Sequence, residues 1–168
     1  MYNLDLMAKA SKIKLVAFDV DGVMTDGGMI YDQNGIQYKI FNAKDGQGIA
    51  MLSNAGLKTA IITAKESGAV LNRFKDLGMT KLYQGQKKKI EALQEMIIEF
   101  NIDASEVAYM GDDLPDIPVL QEVGLACCPN DAVNQVKEIC HLVSSKCGGR
   151  GAVRELADLI LRAQKLSV

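Results

Sequence analysis

Short runs of apolar, β-branched residues recur along the chain, and the stretches between them carry helical periodicity. The runs fall at residues 14–20, 59–63, 81–83, 107–110, 125–128 and 141–143, each too short for a helix and apolar enough to be buried on both faces. Helical spacing covers 48–55, 68–77 closed by Gly78, 87–100, 115–123 closed by Gly124, and 152–164. Strand and helix in alternation predict an α/β fold, a Rossmann-like and mainly parallel sheet flanked by helices. One segment breaks the alternation: residues 29–31 and 37–41 flank Asp32-Gln33-Asn34-Gly35, whose Asn-Gly step signals a hairpin. A small β-hairpin is therefore expected to project after the first strand. No repeat, low-complexity tract or Pro/Gly-rich linker divides the chain, so residues 1–168 read as a single domain.

The densest chemistry stands at the end of the first run, in Phe18-Asp19-Val20-Asp21-Gly22-Val23-Met24-Thr25-Asp26-Gly27. Ligands of open α/β sheets bind at the carboxyl edge of the strands, so two carboxylates in an Asp-x-Asp spacing there can share one cation. A solvated strand end followed by a turn would read the same way in isolation. Three further elements close later strands: Thr63 after Ala60-Ile61-Ile62, Lys89 after Leu82-Tyr83-Gln84-Gly85-Gln86, and Gly111-Asp112-Asp113-Leu114-Pro115-Asp116 after Val107-Ala108-Tyr109-Met110. Separately they read as a helix cap, a solvated charge run and a helix-leading acid. Together, at one edge of one sheet, they supply what phosphoryl transfer needs. Asp19 is the candidate nucleophile, and Asp21 the group that protonates the departing alcohol and then activates water. Asp19 and Asp112 are the candidate ligands for Mg²⁺, with the main-chain carbonyl of Asp21, while Asp113 and Asp116 orient them from behind. Thr63 offers a hydroxyl and an N–H to the phosphoryl oxygens, and Lys89 a positive charge that restrains the crowded carboxylates.

Composition narrows the partner. With 48% hydrophobic and 24% charged residues the chain can build a packed core, and a net charge of −2 gives no pull toward nucleic acid or an anionic membrane. A small-molecule substrate is expected. The N-terminal residues lack the pattern of a secretory leader and no later stretch approaches a membrane span, so the expectation is a cytoplasmic protein. Cys127, Cys128, Cys140 and Cys147 contain no C-x-x-C pair and read as reduced thiols. A zinc site at Cys140, His141 and Cys147 matches no common finger spacing, which leaves His141 as a packing residue.

The ordered set Asp19-Val20-Asp21-Gly22, Thr63, Lys89 and Gly111-Asp112-Asp113 resembles the four motifs of the haloacid dehalogenase superfamily. Over nearly the whole chain, Phe41-Asn42-Ala43-Lys44-Asp45-Gly46, Gln84-Gly85-Gln86, Gly111-Asp112-Asp113-Leu114 and Gly148-Gly149-Arg150-Gly151-Ala152-Val153-Arg154-Glu155 resemble the 3-deoxy-D-manno-octulosonate 8-phosphate phosphatases, which act in lipopolysaccharide precursor synthesis. That resemblance implies substrate contacts at Asp21, Asn42, Ala43, Lys44, Asp45, Gly46, Lys65, Arg73 and Lys89. Two positions depart from the family pattern: its Thr-Gly-Arg is Thr63-Ala64-Lys65 here, and its Arg is Lys44, so two bidentate forks become point charges. The nonulosonate 9-phosphate phosphatases are similar too, but tend to carry acidic residues where this chain has Lys65 and Arg150.

Only the hairpin and one helix, roughly 40 residues, separate the first two motifs, which is too little for a cap domain. Apolar Met29, Ile30, Ile36, Ile40 and Phe41 on a lone ribbon would be a liability unless paired, so a closed homo-oligomer is expected. The resemblance implies a homotetramer, with residues 148–155 or the C-terminal tail reaching an adjacent site. Two readings of another class stay open at this level: a receiver-like signalling domain with a long-lived phosphoaspartate, and a non-catalytic regulatory domain.

Overall fold

The computed structural model of the chain describes residues 3–166. In order the elements are α1 (Leu4–Ala10), β1 (Leu15–Phe18), the hairpin strands β2 (Ile30–Tyr31) and β3 (Gln37–Tyr38), α2 (Ala43–Asn54), β4 (Lys58–Ile62), α3 (Gly68–Asp76), β5 (Lys81–Tyr83), α4 (Lys89–Phe100), β6 (Val107–Met110), α5 (Ile117–Glu122), β7 (Leu125–Cys128), α6 (Asn134–Lys137), β8 (Leu142–Val143) and α7 (Ala152–Ala163). Six strands form a parallel sheet of order β5-β4-β1-β6-β7-β8. This is the mainly parallel α/β sheet that the apolar runs predict.

Strand alternation sorts the core into two layers. Val16, Phe18 and Ile61 pack with Leu6 of α1, Ile49 and Leu52 of α2, and Leu156 and Ile160 of α7. Leu15, Ala17, Ala60, Ile62 and Tyr109 face the other way, onto Leu93 and Met96 of α4 and Val119 and Leu120 of α5. Helices α2 and α7 approach closely because Gly48 has no side chain; a Cβ there would stand 3.1 Å from the Cβ of Ala157. Among the described residues no helix is long and apolar enough to cross a membrane.

The sheet order decides where a ligand can sit. From β1 the chain moves outward to β4 and β5, then crosses back to add β6, β7 and β8 on the other side, so the direction reverses at β1. Phe18 pairs with both Ile61 and Met110, which brings the carboxyl ends of β1, β4 and β6 level.

Several elements differ from the sequence expectation. Helix α2 begins at Ala43 rather than residue 48, because Asn42 caps it: its Oδ1 accepts from Lys44 N (2.8 Å) and Asp45 N (3.3 Å). The expected helix after β6 opens as a tight 3₁₀ turn (Leu114–Asp116) before α5. The hairpin forms with two residues per strand, and its loop holds three residues: Asp32 N donates to Ile36 O (3.0 Å), and Gly35 takes the left-handed conformation with φ of 78°. Asp32 Oδ1 accepts from Asn34 N and Ile36 N, fixing that loop. Met29, Ile30, Ile36 and Ile40 are exposed as expected, but Phe41 is half-buried against the core. His141 is held at the sheet: its Nδ1 accepts from Ala126 N at 2.9 Å, and burial shifts its pKa downward, favouring the neutral ring.

Candidate active site

Asp19 follows directly on β1 and is tied to the next strand by its N–H, which donates to Met110 O (3.0 Å). Thr63 follows β4, its N–H donating to Tyr83 O (2.9 Å). Lys89 is the first residue of α4, and Asp112 and Asp113 follow β6. Asp19, Asp21, Thr63, Lys65, Lys89, Asp112, Asp113 and Asp116 line one cavity of about 210 Å³, together with Met29 from the hairpin. The four sequence elements converge, as strand ends in a parallel sheet must.

Asp116 is more central than its position in the sequence implies. Its Oδ1 accepts from Lys89 Nζ (2.7 Å) and from Tyr109 OH (2.6 Å), while its Oδ2 accepts from the N–H groups of Asp112 (3.0 Å) and Asp113 (3.2 Å). One buried carboxylate thus fixes the acidic loop to the lysine. Lys89 Nζ also reaches Asp19 Oδ1 at 2.9 Å. Burial alone would lower the Lys89 pKa, but Asp19 and Asp116 outweigh it and the net shift is upward, so the ammonium persists. Tyr109 carries no signal in the sequence, where it reads as one more apolar strand position. Burial first, and Asp116 next, push its phenol pKa upward and keep it a donor.

The acids are crowded enough to call for a cation. Oxygens of Asp19, Asp112 and Asp116 all lie within 4.8 Å of one another. Burial, opposed by Lys89 and reinforced by Asp116, raises the Asp19 pKa to about 6. Burial and then the charges of Asp19 and Asp116 raise that of Asp112 to about 8. A cluster of hard oxygen donors that resists ionising together fits a hard divalent ion such as Mg²⁺. Asp19 and Asp112 would hold it, since Asp116 is engaged four times by the protein. Gly22 leaves the necessary room: its φ is 89°, and a Cβ there would fall 2.0 Å from Asp112 Oδ2.

The remaining residues expected at the substrate divide into two groups. Asp21, Lys65 and Lys89 share the cavity with Asp19. Asn42, Ala43, Lys44, Asp45, Gly46 and Arg73 stand apart from it. Arg73 Nη2 donates to Asn42 O (3.3 Å), and a Cβ on Gly46 would meet that nitrogen at 2.2 Å. Asp45 is buried and both its oxygens serve α7, accepting from Gly151 N (3.2 Å) and Arg154 N (3.0 Å). Within one chain it is a helix-capping residue rather than a substrate contact. Lys44 lines a second cleft of about 480 Å³ with Lys146, Arg150, Arg154 and Arg162. That larger cleft is basic but lacks the Asp-x-Asp pair, so the candidate reacting centre is the smaller cavity. Residues 148–149 join the two regions: Gly149 N donates to Val23 O (2.9 Å), and Asn42 Nδ2 donates to Gly149 O (3.1 Å).

Residues 75–155 match the family model of haloacid dehalogenase-like hydrolases. The chain is 43% identical over 162 residues to the 3-deoxy-D-manno-octulosonate 8-phosphate phosphatase of Escherichia coli strain B, covering 96% of this chain and 86% of that protein. It superposes with a TM-score of 0.95 and 39% identity on the crystal structure of the corresponding phosphatase from Moraxella catarrhalis in complex with a magnesium ion, a phosphate ion and a KDO molecule, covering 98% of this chain and 94% of that one. The cobalt-bound phosphatase from Haemophilus influenzae superposes with a TM-score of 0.90 at 38% identity, covering 94% and 92% of the two chains. With this coverage, and with the Asp19, Asp21, Thr63, Lys89 and Asp112 elements gathered at one sheet edge, the chain belongs to the 3-deoxy-D-manno-octulosonate 8-phosphate phosphatase family of haloacid dehalogenase-like hydrolases.

Proposed function

We propose that this protein hydrolyses 3-deoxy-D-manno-octulosonate 8-phosphate to the free sugar acid and phosphate through a phosphoaspartate, in lipopolysaccharide precursor synthesis. The observation that carries the reading is the shared cavity of Asp19, Asp21, Thr63, Lys89 and Asp112. An Asp19 oxygen attacks phosphorus as the bond from phosphorus to the sugar oxygen breaks, and Asp21 delivers a proton to that oxygen. Asp21 then takes a proton from water as the water oxygen attacks phosphorus, releasing phosphate and restoring the Asp19 carboxylate. Thr63 and Lys89 hold the phosphoryl oxygens while negative charge spreads over them. Bound Mg²⁺ supplies charge neutralisation for the carboxylates and the phosphoryl group. Lys65 is the candidate partner for the sugar-acid carboxylate on the same wall.

A panel of sugar phosphates and sugar-acid phosphates assayed with Mg²⁺ tests this. The eight-carbon 8-phosphate should give the highest kcat/KM. A higher value for a nine-carbon 9-phosphate would reassign the chain to the nonulosonate enzymes. A stable phosphoprotein without turnover would make it receiver-like, and no phosphate release at all would leave a regulatory role.

The reading also includes a homotetramer assembled through the hairpins, as a single capless domain per chain, in the cytoplasm. Its support is the ribbon itself. Ile30, Tyr31, Ile36, Tyr38 and Ile40 are all about half exposed or more, with Ile40 at 71%, on or beside a hairpin that pairs with no third strand among the described residues. Asn42, Ala43, Lys44 and Arg73, which lie off their own chain's cavity and are not buried, would then face a neighbouring one. Light scattering should give four times the mass of one chain, and Ile40→Glu should shift it to smaller species with loss of sugar-acid turnover. A native monomer of full activity would refute the assembly.

A further inference from the structure

The hairpin carries a lysine that behaves unlike a ribbon lysine. Lys39, one residue past β3, has a side chain only 3% exposed, although its neighbours Tyr38 and Ile40 are open to solvent. Its ammonium is ion-paired with Asp21, whose side chain is 20% exposed at the cavity wall. Among the described residues this is the only hydrogen-bond or ion-pair partner of the Asp21 carboxylate. A buried ammonium is costly unless it is paired, so the two groups hold each other in place. Asp21 needs such a hold. It sits in the turn after β1, beside Gly22 in the left-handed conformation, and belongs to no strand or helix. The hairpin touches the cavity a second time through Met29, whose sulfur lies 3.3 Å from Lys65 Nζ.

We infer that Lys39 is a positioning residue for the hydrolysis: it holds Oδ1 of Asp21, which leaves Oδ2 to carry the proton to the departing sugar oxygen, and it links the seating of the hairpin to proton delivery. The inference rests on the phosphatase reading above and deepens it. A proton donor works only within about 2.6–3.2 Å of the atom it serves, and a shift of about 1 Å costs on the order of 10²-fold in rate.

The test is the dependence on leaving group of Lys39→Met, read in kcat/KM, which reports events up to release of the first product. A sugar alkoxide must be protonated as it leaves; p-nitrophenolate need not be. At saturating Mg²⁺, Lys39→Met should lose on the order of 10²-fold in kcat/KM for the sugar-acid phosphate and less than about threefold for p-nitrophenyl phosphate. Lys39→Arg should restore most of the loss. Equal losses on both substrates, or no loss on either, would overturn the inference. If Lys39→Met does not fold, Asp21→Asn and the double variant Asp21→Asn/Lys39→Met settle the matter on p-nitrophenyl phosphate. Their kcat/KM values should agree within about twofold, because Lys39 then has no carboxylate to hold, and a further tenfold drop would overturn the inference. Should the native protein refuse the octulosonate substrate, the same ratio on whichever sugar phosphate it accepts still tests Lys39, separately from the identity of the substrate.

Discussion

Replacing Asp19 by Asn is expected to lower kcat by on the order of 10⁴-fold or more, the scale seen when the nucleophile of a covalent mechanism is removed. At about 1.36 kcal/mol per decade that is roughly 5.5 kcal/mol of lost transition-state stabilisation. The amide keeps the shape of the side chain and has no oxygen able to form the acyl phosphate. Stability should not follow activity. Burial raises the Asp19 pKa from 3.8 to about 6, so between those values the folded chain holds more protons than the unfolded one. This group therefore takes stability away as pH rises through that window, and above about 6 the ionised carboxylate is a net cost. Asn carries no such cost, and Lys89 keeps its second partner Asp116. In Mg²⁺-free buffer at pH 8 the variant should melt no lower than the native protein. Loss of activity together with a much lower Tm would instead assign Asp19 a structural role.

Removing the divalent ion is expected to have an effect of similar size. Dialysis against a chelator should abolish turnover, and Mg²⁺ should restore it where Ca²⁺ does not, because the larger ion favours longer bonds and more ligands. The dependence on pH follows from the crowded carboxyls. Between about 6 and about 8 the metal-free site holds a proton on Asp112 that the ion must displace, so apparent Mg²⁺ affinity should fall about tenfold per pH unit as pH drops. Below about 6 a second proton, on Asp19, should steepen the slope. The same groups make the metal-free fold less stable as pH rises from 3.8 toward about 8, since the folded state binds more protons than the unfolded one, and Mg²⁺ should reverse that trend. Activity titrated against Mg²⁺ at several pH values gives the slope, and melting curves with and without chelator give the stability. A Mg²⁺ requirement that does not change with pH would contradict the protonation scheme.

The reach of the sequence reading follows the range of the forces involved. Strand positions were legible because burial on both faces demands continuous apolar runs, as at Leu15–Phe18, and sheet topology then fixes where their ends meet. Asp19, Thr63, Lys89 and Asp112 were therefore locatable without coordinates. What escaped were contacts between residues far apart in the chain. Tyr109 looks like core until its hydroxyl is seen on Asp116. Lys39 looks like an ordinary polar residue of a ribbon until its ammonium is seen on Asp21. Asp45 looks like part of a polar substrate loop, yet its carboxylate caps a helix more than 100 residues later in the sequence. The early start of α2 had a usable signal, since Asn42 precedes Asp45 by three residues as a helix cap does. Gly46 and Gly48 obscured it by lowering the apparent helix propensity, although Gly48 lets α7 pack closely and Gly46 lies against the Arg73 guanidinium.

The most direct measurement is an acid quench within the first turnover, using substrate labelled at phosphorus. Label should appear on the protein before free phosphate does, be released by hydroxylamine as an acyl phosphate is, and map to Asp19, with none on Asp19→Asn. Native protein that turns over substrate without ever carrying label, or that carries it on a residue other than Asp19, would contradict the account.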